Sequence, residues 1–206
     1  AEVQTARTAL SQAMAERTDL PRRFVVDPVR TAILIASAEN LDAFARGVAQ
    51  IAQEVPDAAL PPAAEIGALP LPASGLVLRA AGQPDAAGIV RPGLLLATRP
   101  GALVTSPSAA TVRYQGPFLD FGQVVILEPR ADALLVLAGL GQTYVETGEV
   151  VAAGAPLGLM GGLAPETLST GGEGGGSARS ETLYIETRQN NIPQDPNLWF
   201  RMEEDG

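Results

Sequence analysis

The chain has 206 residues, a formal net charge of −9 and fourteen arginines but no lysine. That length suits one substantial domain with an appendage, and the charge offers no basic cluster for a nucleic-acid partner. Histidine and cysteine are absent, which excludes Ser-His-Asp triads, thiolate nucleophiles, disulfides and ordinary His- or Cys-bearing zinc sites, while the missing lysine excludes Ser-Lys dyads and Schiff bases.

Residues 1–55 read as a small helical region. Val3, Ala6, Leu10 and Ala13/Met14 recur at helical spacing before a stop near Asp19-Leu20-Pro21. Asp27 is an N-cap candidate, with Pro28 in the first turn of a second helix over 28–37. Asn40 is suited to cap a third helix over 40–54, where Leu41, Phe44, Ala45, Val48 and Ile51/Ala52 line one face before Pro56 ends it. No sustained heptad is visible, so the region is a small bundle, a regulatory arm or the stub of a coiled coil. Residues 1–56 hold seven acids against six arginines and residues 57–206 sixteen against eight, an excess whose simplest role is solubility. No apolar run approaches the length of a membrane span. The chain starts at Ala1 without a signal-like segment, as expected of a mature product whose targeting segment has been removed.

Residues 56–72, "PDAALPPAAEIGALPLP", carry five prolines and read as a stiff, extended linker. From residue 73 to 206 the texture changes to short apolar runs between Gly and Pro: "GLVLRA", "GLLLAT", "ALVTS", "ATVRYQG", "GQVVILEP", "ALLVLAG" and "ETLYIETR". This is the pattern of a β domain with many short strands. Hydrophobic residues make up 46% of the chain and aromatics only 4%, so its core must come mainly from Ala, Leu, Val and Ile. "GEVVAAGAPLG" adds two strand-like pieces joined through Gly154. Residues 161–179 contain seven glycines and read as a mobile rim; without a lysine or a strand–glycines–helix context they are no phosphate loop.

Carboxylates are the remaining catalytic currency. Asp120, Glu128 and Glu186 are candidates for a two-carboxylate hydrolase, although no spacing singles out a pair. No Asp-x-Asp-x-Asp-Gly calcium loop appears. Composition therefore favours a binding or regulatory protein over an enzyme, with no cofactor.

Four stretches in order carry a family resemblance: "LPLPASGLVLRAAGQ", "RPGLLLATRPGALVTSPSAATVRYQGPFLDFGQVVIL", "LLVLAGLGQTYVETGEVVAAGAPLGLMG" and "LYIETRQNNIPQDPNLWF". Over roughly residues 68–200 the chain resembles the LytM (lysostaphin-type) zinc metallopeptidase domain, and more closely the degenerate, EnvC-like branch of murein hydrolase activators. The resemblance implies an α+β fold: a mainly antiparallel, barrel-sandwich-like β domain preceded by the small helical region. In active members, His-x-x-x-Asp supplies two metal ligands, His-x-His near the last strand supplies a third and a catalytic imidazole, and a further His lies one strand earlier. Carried over, these fall on Arg91 and Leu95, on Thr182 and Tyr184, and near Gly139. None of these side chains can replace the originals, so family-type zinc catalysis is expected to be lost.

The resemblance implies instead a retained groove that binds and activates a peptidoglycan amidase during septal wall splitting. Motif positions and strand alternation put Arg91, Tyr184, Glu186 and Arg188 in it, since residues 182, 184, 186 and 188 share one face while Leu183 and Ile185 share the other. Arg113 and Tyr114 are weaker candidates and read more simply as outward-facing strand residues. Trp199 reads as a packing residue. A periplasmic location follows, with an N-acetylmuramoyl-L-alanine amidase as protein partner, a membrane cell-division complex of the ABC-transporter type acting through the helical region, and peptidoglycan as a further ligand. Relatives are controlled by a helical arm over the groove, a part open to the helices over 28–37 and 40–54. The alternatives are a periplasmic membrane-fusion adaptor with a lipoyl-like domain, for which "YVETGEVVAAGAPLG" speaks, and a non-catalytic peptidoglycan-binding module. An adaptor would split its lipoyl-like halves around a helical hairpin.

Overall fold

The computed structural model describes residues 28–53, 69–162 and 181–201. The expected helix over 3–14, the linker over 56–68 and the glycine-rich stretch from 163 lie outside the described residues.

Two helices lead the described chain, α1 (Pro28–Ser37) and α2 (Leu41–Gln53). Asn40 caps α2: its Oδ1 accepts the Ala43 N–H at 2.8 Å, satisfying a donor that the first turn cannot. The helices approach closely at Gly47, where a β-carbon would collide with the Leu34 side chain of α1. Leu41, Phe44, Ala45, Val48 and Ala49 form the buried stripe of α2. The expected face is therefore turned slightly: Ala49 completes it, and Ile51 is only partly buried.

Ten strands follow: β1 (Gly75–Arg79), β2 (Leu94–Thr98), β3 (Leu103–Thr105), β4 (Ala110–Pro117), β5 (Gln123–Arg130), β6 (Ala133–Thr143), β7 (Val150–Val151), β8 (Pro156–Met160), β9 (Thr182–Gln189) and β10 (Ile192–Gln194). They form one open sheet in the order β1-β2-β9-β6-β5-β4-β7, with β10 beside β9 and β8 joining β3 to β6. Every strand pair is antiparallel. The fold is thus the expected α+β arrangement, a mostly antiparallel sheet behind two small helices.

Period-two alternation divides the buried residues between two faces. On β5, Val125 and Leu127 enter one cluster while Val124 and Ile126 enter the other. The first cluster is made mainly of strand side chains, together with Leu69, Ala73, Val145, Trp199 and Phe200. Leu69 comes from the end of the predicted linker, yet it is buried and its N–H donates to Trp199 O at 3.1 Å. Residues 69–72 therefore belong to the β unit: Leu69 is buried in the first cluster and Leu71 packs against it. The second cluster lies between the sheet and α2.

Candidate functional site

The strands β2, β9 and β6 lie side by side and bring the sequence-derived positions together. Leu95 of β2 is in register with Tyr184 of β9, and Tyr184 with Ala138 of β6, next to Gly139. Thr182 lies two residues along β9, in register with Ala97. Arg91 stands in the loop leading into β2, where it pairs with Asp85 at 3.2 Å. Asp85 also accepts the Ile89 and Ala87 N–H groups, and those bonds, the Ile89 one foremost, hold its carboxyl below the usual range. Gly139 has φ +103°, a conformation that strains any residue carrying a β-carbon.

Tyr184 is the centre of a buried polar relay. Its hydroxyl accepts the Gly93 N–H at 3.0 Å and donates to Glu186 Oε2 at 2.7 Å. Burial, then the Glu186 carboxylate, pushes the phenol's pKa far up, so it stays a donor. Gly93 must be a glycine, since a β-carbon would lie 2.5 Å from the Tyr184 ring and 2.6 Å from Ile185 O. Glu186 Oε1 accepts from Arg188 Nη1 at 2.5 Å, and the same Nη1 reaches Asp42 Oδ1 on α2 at 2.8 Å. Arg188 Nη2 donates to Asn191 O at 2.9 Å, and Nε has no acceptor among the described residues. The Asn190-Asn191 turn, with positive φ at both residues, thus brings a carbonyl to the guanidinium.

These residues share one face as alternation requires: Leu183 and Ile185 sit in the first cluster and Tyr184 in the second. They are not open to solvent. Tyr184 is 7% exposed, and Glu186 and Arg188 are each 1% exposed. The roof is α2, whose Phe44 meets Tyr114 edge-on at 4.7 Å and stacks on Phe118 at 4.2 Å. The expected polar groove is therefore a covered, mixed face.

Arg113 and Tyr114 are not outward-facing strand residues. A bulge between Val112 and Tyr114 shifts the alternation of β4. Tyr114 is buried, donates to Pro117 O at 2.9 Å, and has its phenol pKa raised by burial. The Arg113 side chain is nearly buried in an ion pair with Glu128 of β5. Burial lowers the arginine's pKa and raises the glutamate's, and each is opposed by the partner charge. Of the hydrolase candidates, Glu128 and Glu186 are thus each committed to an arginine, and Asp120 is exposed on the turn Leu119–Phe121.

Sequence reasoning missed Asp42, Gly93 and the Arg113–Glu128 pair. The "RPG" step before β2 was the visible trace of the close approach at Gly93. A zinc ion of the kind the resemblance evokes does not fit here. Leu95, Ala138 and Gly139 offer no side-chain donor atom, and no cluster of three or more metal-ligating side chains occurs among the described residues.

Comparison with known proteins agrees with this architecture. Residues 90–196, just over half of the chain, match Peptidase family M23. An uncharacterised protein of Neisseria meningitidis serogroup B is 30% identical over 135 residues, which is 66% of this chain and 20% of that protein. Helicobacter pylori Csd3 has a similar fold, with a TM-score of 0.51 and 19% identity over 68% of this chain and 36% of Csd3. The SpoIIQ–SpoIIIAH pore forming complex contains another, with a TM-score of 0.51 and 17% identity over 65% of this chain and 92% of that chain. The chain spans a fifth of the curated relative and about a third of Csd3. In the described residues both helices precede the sheet, unlike the split arrangement of an adaptor.

Proposed function

The chain belongs to peptidase family M23, and from that premise we propose that it is a catalytically inactive, LytM-type regulator of cell-wall cleavage. The observation that carries this reading is the replacement of metal-binding chemistry by Arg91, Leu95, Gly139, Thr182 and Tyr184 in a chain with no histidine or cysteine. What is left is a recognition surface. Tyr184 and Arg188 are suited to binding because each joins a broad contact area to directed hydrogen bonds. The partner in this reading is a peptidoglycan amidase in the periplasm, which supplies the zinc. α2 acts as a cover to be moved, with a membrane complex of the ABC-transporter type as the mover.

Dye release from labelled cell walls tests this. The assay uses the whole chain alone, an amidase alone, the two together, and the amidase with a Phe44→Ala chain whose cover is weakened. The expected result is no release by the chain alone and more release from amidase with chain than from amidase by itself, most of all with Phe44→Ala. Failure of both chains to stimulate would overturn the regulator reading, and release by the chain alone would overturn the loss of catalysis.

A further inference from the structure

One margin of the sheet is left open. β1 ends the strand order and, among the described residues, pairs with β2 alone. The other outer strands are blunted: β7 has two residues, β3 has three, and β10 has three with Pro193 at its centre. β1 has five, "GLVLR", with no proline, lysine or acid. Leu76, Val77 and Leu78 are 69%, 45% and 59% exposed, so aliphatic surface stands on both sides of the strand. Ile89 and Val90 add exposed apolar surface on the turn that follows. A free edge directs alternate N–H and C=O groups outward, and folds usually guard it with short strands, charges or proline. The bulge between Val77 and Arg79 is the one irregularity in this pairing, and it lies at the charged end of the strand. That end is short of negative charge. Asp85 Oδ2 faces both Arg79 at 3.7 Å and Arg91 at 3.2 Å, while its Oδ1 is taken by the Ala87 and Ile89 N–H groups. One carboxylate thus serves two guanidiniums, leaving a positive spot on a chain whose net charge is −9.

We propose that β1 is a docking edge for an extended segment of a partner protein, which adds a strand to the sheet and carries an acid followed by aliphatic residues. The proposal concerns the margin of the sheet and stands apart from the regulator reading. Main-chain hydrogen bonds supply the adhesion, and the side chains supply the selectivity. The added strand runs antiparallel, as every pair in this sheet does. Its acid then lies beside Arg79, and the residues after it meet Leu78, Val77 and Leu76 in turn. A second copy of this chain is the poorer occupant. Two β1 strands paired about Val77 would set each Arg79 against the other copy's Gly75, with no carboxylate opposite, and would bring together two chains of like net charge.

The probe is a fluorescent synthetic peptide, Ser-Gly-Glu-Val-Ile-Val-Thr-Gly-Ser, added to the whole chain and followed by anisotropy. One control peptide has glutamine for the glutamate, and another has proline for the isoleucine, which removes a backbone donor and fits no ladder. Two chain variants alter the edge: Leu76→Thr with Leu78→Thr, which keeps strand-forming residues but strips the aliphatic surface, and Arg79→Gln. Circular dichroism and thermal melting confirm that both remain folded. The expected result is saturable binding of the parent peptide, with slowed amide hydrogen exchange over residues 75–79. Binding should weaken about ten-fold or more in the double threonine variant. The glutamine peptide should bind about three- to five-fold more weakly than the parent, and Arg79→Gln should abolish that difference. The proline peptide should not bind. Equal binding by the proline peptide, or by the double threonine variant, would overturn strand addition at β1. Equal binding by the glutamate and glutamine peptides to the unaltered chain would overturn the acidic requirement. Absence of binding by every peptide would overturn the proposal, and if sedimentation then showed a dimer that the double threonine variant loses, the edge would belong to a second copy.

Discussion

The two faces of the sheet are covered in different ways. One closes with the strands' own side chains and with Leu69, Trp199 and Phe200 from the ends of the β unit. The other is covered by a separate helix and contains buried charge: Glu186 with Arg188, and Glu128 with Arg113. A face that closes on itself needs only volume and hydrophobicity. A face shared with a helix, and tied to it by Asp42 and Arg188 across 146 positions, also fixes which side chains must meet. Buried ion pairs are poor stabilisers compared with apolar residues of the same volume, so Glu186 with Arg188 adds less to stability than its burial suggests.

The largest expected effect comes from breaking the charge on the covered face. Arg188→Ala leaves Glu186 buried without its cation and should lower stability by about 3–5 kcal/mol in urea unfolding. Replacing both partners, Glu186→Leu with Arg188→Met, should restore most of that loss; a double variant as unstable as the single would show that the pair itself holds the fold. On the self-closed face, Leu137→Ala should lose about 2–5 kcal/mol, with no compensating partner available. Because Leu137 lies in the first cluster, away from the helix, hydrogen exchange in α2 should be unaltered as long as the chain is folded. Tyr184→Phe removes the hydroxyl that both accepts from Gly93 and donates to Glu186, and should lose about 1–3 kcal/mol.

The same phenol predicts a pH dependence. Its folded-state pKa is raised above the ordinary value of 10.0, so its contribution is intact below pH 10 and is lost as pH rises toward the folded-state value. Melting temperatures should therefore fall above pH 10, and less steeply in Tyr184→Phe. Tyr114, raised by burial as well, contributes in the same direction, so the double Phe variant should be flatter still. The smallest change is Asn40→Ala, about 1 kcal/mol from loss of the α2 cap. Hydrogen exchange should place that loss in α2 and spare the strands.

Most strands were legible because short apolar runs ended by Gly or Pro are local signals. The shared face of Tyr184, Glu186 and Arg188 followed from period two, which nothing in β9 interrupts. The same rule misled at Arg113 and Tyr114, because the bulge in β4 moves side chains across the sheet and carries no sequence mark. The stripe on α2 was legible but its object was not: Asp42 meets Arg188 across 146 positions, and Gly93 meets Tyr184 across 91. Such pairings are set by topology, which a single sequence does not display.

Gly139 has an evolutionary consequence. With φ at +103°, Gly139, near which the family resemblance places a former histidine, has a backbone suited to glycine. Reinstating the imidazole would require β6 to be rebuilt around it, while Leu95 and Tyr184 became ligands at the same time. A histidine at Gly139 would therefore carry a backbone cost that the same side chain on an ordinary strand position does not.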